Sequence, residues 1–180
     1  MKTSPSGSEE QAARLTMPVV SNTSPVRYLV LLGQSELIGQ LFGAVLIPQA
    51  VERELLDPSA PLPVRQWMAQ RPAWLKVQRI EGPADEELRQ WLDPGEAEAI
   101  QLALQLGAEV IILDERRGRE VAAAKGLTVI GVLGILREAY RQGWIDNPLE
   151  LLQRLRSQRF RLSRPLARRF EEQVRLARPD

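Results

Sequence analysis

The chain contains neither cysteine nor histidine. That double absence removes disulfides, thiolate nucleophiles, Cys/His zinc sites, imidazole bases and Ser-His-Asp triads in one step. Any catalysis has to run on carboxylates, hydroxyls, Lys or Arg. Lysine is scarce as well, with only Lys2, Lys76 and Lys125 against 21 Arg. None of the three directly follows a candidate strand, which argues against a phosphorylatable receiver. No Gly-rich phosphate loop follows a strand either, and the spacing from Gly131 to Gly134 is wrong for one. There is no run of 18 apolar residues, and the opening MKTSPSGSEEQ lacks the apolar stretch of a signal peptide. The expectation is a cytoplasmic protein with no membrane partner.

What the chain does contain is enough for one domain: 180 residues, 44% apolar and 26% charged. Residues 1–150 carry 15 basic against 20 acidic side chains, a net −5, and residues 151–180 carry nine against three, a net +6. A basic appendage on an acidic body suits contact with an anion, either nucleic acid or an acidic partner; an exposed Arg-rich helix is the plainer reading. Residues 1–16 are polar and aperiodic and read as a disordered leader, with Met17 as an alternative start. Residues 17–146 form the expected body. Residues 147–180 read as a basic helical extension with apolar stripes at Leu149, Leu152 and Leu155, then Leu166, Phe170 and Val174. Such stripes need cover, from the body by folding back or from a partner.

Four short apolar runs, Pro18–Val20, Ala44–Ile47, Val110–Leu113 and Thr128–Val132, are too short for helices and suit strands buried on both faces. Segments of helical period separate them. Helices are expected after Pro48, over 63–70, from Asp93 to Leu106, over about 118–125 and 134–142, and after Pro148 and Ser163. The stretch 74–80 reads only as extended. The class is α/β, with a mainly parallel sheet and a C-terminal helical extension.

In open parallel sheets ligands gather beyond the carboxyl ends of the strands. The residues there are Ser21-Asn22-Thr23-Ser24 after the first run and Asp114-Glu115 after the third, with Glu52 and Glu54 on the helix following the second run. Glu96 and Glu98 open the helix that leads to the third. Glu96 shares a stripe with Ala99, Ile100 and Ala103 and so faces inward, although Asp93 and Glu96 also have the spacing of a capping box. Glu54 borders a buried face, and Glu52 reads as solvated. Carboxylates converging without histidine suit a hard cation such as Mg²⁺, and the chemistry that follows is phosphodiester hydrolysis. Arg116, Arg117 and Arg119 are placed to hold phosphates or simply to decorate a helix start.

The ordered set Val19-Val20-Ser21-Asn22-Thr23-Ser24-Pro25, Ile47-Pro48-Gln49-Ala50-Val51 with Glu54-Leu55, Gly95-Glu96-Ala97-Glu98-Ala99-Ile100, Ile112-Leu113-Asp114-Glu115-Arg116-Arg117-Gly118-Arg119 and Val129 to Leu136 resembles the PIN-domain superfamily. More narrowly, it resembles the prokaryotic branch related to VapC-type toxins, over roughly residues 17 to 146. The resemblance implies a three-layer α/β/α sandwich and endonucleolytic cleavage of RNA with Mg²⁺ or Mn²⁺. It places ligand or catalytic roles on Asn22, Glu54, Glu96 and Asp114, with Glu115 as a helper and Thr23 or Ser24 as a supporting hydroxyl. It also implies a small antitoxin partner and a homodimer. Asn22 stands where the pattern has Asp, which leaves two readings: an active ribonuclease, or a weakened PIN-like protein that binds RNA or a partner.

Overall fold

The computed structural model describes residues 17–177, so the leader at residues 1–16 lies outside the described residues. Five strands pair in parallel: β1 (Val19–Ser21), β2 (Val45–Ile47), β3 (Leu75–Val77), β4 (Val110–Ile112) and β5 (Thr128–Ile130). Their order is β3-β2-β1-β4-β5. Between and after them lie α1 (Thr23–Leu31), α2 (Glu36–Phe42), α3 (Gln49–Leu56), α4 (Leu62–Ala69), α5 (Glu86–Trp91), α6 (Pro94–Gln105), α7 (Arg116–Ala124), α8 (Val132–Arg141), α9 (Pro148–Ser157) and α10 (Arg164–Leu176).

Side-chain alternation along the strands divides the core in two. Val19, Val45, Ile47 and Ile112 face a cluster built with α1, α2, α3, α4, α8, α9 and α10, while Val20, Ile111 and Leu113 face one built with α5, α6 and α7. This is the α/β/α sandwich expected from runs apolar on both faces. The structure adds a fifth strand where the sequence shows only an extended stretch. Lys76 is exposed at the centre of β3, so this edge strand lacks the continuous apolar run that marks the others.

The two tail helices are part of the core. Leu151, Leu152, Leu155, Phe170 and Val174 are buried in the same cluster as Val19 and Ile112. Phe170 is 2% exposed, so Phe170→Ala is expected to destabilise the fold by about 3–4 kcal/mol. The readout is a lower denaturant midpoint with an unchanged slope; a loss below about 1 kcal/mol would make the tail peripheral to the core.

Strand order also locates the ligand crevice. The chain runs outward from β1 to β2 and β3, then crosses back to place β4 on the other side of β1. Loops leaving β1 and β4 diverge at that point, which opens a gap at the carboxyl end of the sheet. Asn22 directly follows β1, and Asp114 lies two residues past β4. Register keeps them together: Ser21 pairs with Ile112, and the Asn22 N–H donates to the Ile112 carbonyl at 2.9 Å.

Candidate active site

Asn22 occupies the N-cap of α1 in extended conformation, a position where Asn normally accepts a hydrogen bond from its own helix. Its side chain makes no such bond. The residue is 3% exposed and Oδ1 is buried without a partner. Leaving a buried acceptor unpaired costs roughly 1–3 kcal/mol, so the amide oxygen is held for something other than capping.

Asp114 is anchored by one oxygen and open at the other. Oδ1 accepts from the Val132 N–H at 3.0 Å, placing the carboxylate at the N-terminus of α8, where amide dipoles favour negative charge. Oδ2 is buried and unpartnered. A Cβ on Gly131 would lie 2.5 Å from Asp114 Oδ1, so the residue preceding α8 has to be glycine for this approach. The Arg119 guanidinium donates to the Leu113 carbonyl at 2.7 Å and steadies the turn from the other side. Burial raises the Asp114 pKa to about 6, against the pull of the Val132 amide and Arg119.

Glu96 is 5% exposed, the one buried charged residue among those described. Asp93 caps α6 by accepting from the Glu96 N–H at 3.0 Å, so one arm of the capping box forms. Glu96 Oε1, however, has no partner and lies against the first turn of α7, where a Cβ on Gly118 would come within 2.6 Å of it. Burial first, then repulsion from Asp93 and more weakly from Glu115, pushes the Glu96 pKa up to about 7. Capping therefore explains the Glu96 backbone and not its carboxylate.

Glu54 is half-buried and satisfied at both oxygens. Oε1 accepts from the Gly95 N–H at 3.0 Å, and Oε2 accepts a short hydrogen bond from the Thr23 hydroxyl. A Cβ on Gly95 would sit 2.5 Å from either oxygen. Burial raises the Glu54 pKa, opposed by the Thr23 hydrogen bond. Glu54 thus ties α3 to the starts of α1 and α6. Thr23 is the hydroxyl that engages an acid, while Ser24 lines the cleft shared with Asp114 and Glu115.

The remaining candidates sit at the rim. Glu115 is exposed at the N-cap of α7 and makes no side-chain cap. That helix begins at Arg116, two residues earlier than its sequence period indicates, which puts all three arginines in or beside its first turn. Arg116 pairs with Glu120 at 3.0 Å, and Arg117 stacks over the Trp91 ring at 4.6 Å. Glu98 accepts from the Ala50 N–H at 3.0 Å and so caps α3. Glu52 reaches Arg71 at 3.5 Å.

Among the described residues, no three acidic side chains close on a common point as a ready chelate. The structure instead brings three unpaired buried oxygens, from Asn22, Glu96 and Asp114, to the carboxyl end of the sheet. Glu54 stands beside them, held by Thr23 and Gly95. An all-oxygen, histidine-free donor set with orphaned lone pairs fits a hard divalent cation. Three residues essential to this arrangement, Gly95, Gly118 and Gly131, carry no signal in the sequence beyond lying next to the acids. Which carboxylate each one faces is a tertiary fact.

A parallel α/β/α sandwich with buried acids at its switch point defines an α/β domain with an acidic ligand site at the carboxyl end of its sheet. The chain belongs to the PIN-domain family, whose profile matches residues 18–175, α9 and most of α10 included. PIN domains are a nuclease fold and generally use divalent metal ions. No curated protein matches the chain. No helix among the described residues is long and apolar enough to cross a membrane.

Proposed function

We propose that this protein is a Mg²⁺- or Mn²⁺-dependent endoribonuclease of the PIN type. The observation that supports it most directly is the set of unpartnered buried oxygens on Asn22, Glu96 and Asp114. These residues would hold the cation. When bound, it would polarise the scissile phosphate and lower the pKa of a water nucleophile. The protein's own groups do the positioning. The Val132 amide orients Asp114, Thr23 and the Gly95 amide orient Glu54, and Arg119 fixes the Leu113 carbonyl next to the site. Glu115, exposed at the rim, is placed to meet a water or an incoming strand. The likeness to VapC-type toxins adds a place in a toxin–antitoxin pair, with a small inhibitory protein as partner and a homodimer as the assembly.

Asn22 favours a second reading, a weakened domain that binds RNA without cutting it. An amide keeps an oxygen ligand and removes one negative charge, so cation affinity falls. Incubation of the full chain with unstructured RNA separates the two. Cleavage dependent on Mn²⁺ or Mg²⁺ and abolished by chelation supports the nuclease, and its absence at saturating Mn²⁺ overturns it. Asn22→Asp is expected to raise cation affinity about tenfold or more. A variant with unchanged affinity would remove Asn22 from the ligand set.

A further inference from the structure

The cleft lined by Asp114 and Glu115 extends well beyond them. It encloses about 2150 Å³ and continues past the start of α8 to the loop joining α9 and α10, where Arg159, Phe160 and Arg161 line it with Arg169 of α10. Acids and arginines both line it, and they differ in how they are paired. Arg119 lies beside Asp114, Arg116 is matched by Glu120 at 3.0 Å, and Arg141, in the last turn of α8, is matched by Glu138 at 2.7 Å. Arg159, Arg161 and Arg169 are exposed and form no ion pair among the described residues.

The backbone supplies an independent observation. Helices α1, α2, α6, α7 and α8 each end at a glycine with positive φ, namely Gly33, Gly43, Gly107, Gly126 and Gly143. Helix α9 ends instead at Arg159, with φ of 62°, the only non-glycine residue in that conformation among those described. A side chain is strained there, and Arg159 is exposed with no ion pair or side-chain hydrogen bond among the described residues to offset it. Strain of this kind concentrates where function requires a particular side chain. Its neighbour Phe160 packs edge-on against Tyr28 of α1 at 4.9 Å, and Trp144, 44% exposed, lines the same cleft. Guanidinium groups with no ion pair among the described residues, interleaved with aromatic rings, are the makings of a single-strand platform, in which cations follow the phosphates and bases stack on the rings.

We propose that Arg159, Arg161 and Arg169 hold the phosphates of an unpaired RNA strand and feed it along the cleft toward Asp114 and Glu115. This rests on the ribonuclease reading, and it gives the basic tail a specific role, binding substrate at a distance from the acids that repel it.

Because the tail helices are core, point variants of the full chain are the appropriate test. Binding of a fluorescent oligouridylate of about 12 nucleotides is measured by anisotropy in EDTA across a salt series. The combined variant Arg159→Gly, Arg161→Gln and Arg169→Gln is expected to bind at least tenfold more weakly, with a salt slope shallower by about 2. Arg159→Gly alone should lower the slope by about 0.7 while raising the melting temperature by about 3 °C, a combination that a purely structural arginine would not produce. Unchanged affinity and slope in the combined variant overturn the strand path, even if the wild-type protein cleaves RNA. Binding through these arginines without any cleavage supports the path and rejects the nuclease. Loss of binding to polyglutamate, with RNA binding intact, would assign the arginines to an acidic protein partner and overturn the proposal.

Discussion

Replacement of Glu96 by Gln is expected to make the cation-free protein more stable and nearly inactive. The carboxyl is 5% exposed and its pKa stands at about 7, against an ordinary value of 4.5. For an acid whose folded pKa is raised, the native state keeps a proton that the unfolded chain releases. Stability therefore falls as pH rises from about 4.5 to 7, and the whole penalty is present above that window. Some of the shift comes from Asp93 and Glu115, which are exposed and screened, so the penalty at pH 8 is about 2 kcal/mol. Gln keeps the shape and lacks the charge.

In EDTA at pH 8 the variant should melt about 5 °C above the wild-type protein, with the difference vanishing near pH 4.5. Asp114, raised to about 6, adds a slope of the same sign to both proteins and does not contribute to the difference. Saturating Mn²⁺ should reverse the order, since a cation at a hundred times its dissociation constant adds about 2.7 kcal/mol to whichever protein binds it. Cleavage should fall at least a hundredfold, as expected when a ligand rather than its support is lost. Equal melting curves in EDTA across pH, or full cleavage by the variant, would sink the assignment of Glu96 to the centre.

Gly118→Ala should separate fold from function in a different way. Within a helix this change ordinarily stabilises by about 1 kcal/mol. Here the new methyl would stand 2.6 Å from Glu96 Oε1 and 3.0 Å from Leu113 Cδ2. The Glu96 carboxylate is the end of a flexible side chain and can swing aside, so crowding and helix propensity should nearly cancel, leaving stability within about 1 kcal/mol of wild type. A ligand displaced by about 1 Å, in contrast, costs on the order of a hundredfold in rate. The measurement is cleavage rate at saturating Mn²⁺, alongside a chemical denaturation curve. A rate within twofold of wild type would show that α7 does not set the position of Glu96.

The inward set of Glu96 is legible in the sequence because a helix period fixes which side chains share a face with Ala99, Ile100 and Ala103, all of them buried. The end of β4 is legible because four apolar residues stop at Asp114. Helix α5 is not: EELRQW is six residues of mostly polar character, although Asp85, whose side chain accepts from the Glu87 N–H, is an N-cap signal that marks its start. Asn22 has the identity of a helix cap, and only the folded structure shows that its oxygen does not serve as one. The apolar stripes of the tail announce that they need cover, but not which surface provides it. That depends on α8 presenting a partner face.

Local chemistry, written into consecutive residues, determined the class of fold, the strand ends where acids collect, and the exclusion of every histidine- or thiol-based mechanism, because periodicity and composition need no knowledge of distant contacts. Only the folded chain decided that Gly95, Gly118 and Gly131 each leave room for a particular carboxylate, that α9 closes on a strained arginine, and that the basic loop lines the same cleft as Asp114. Those are relations between residues far apart in sequence, set by strand order and helix packing, and no local pattern encodes them.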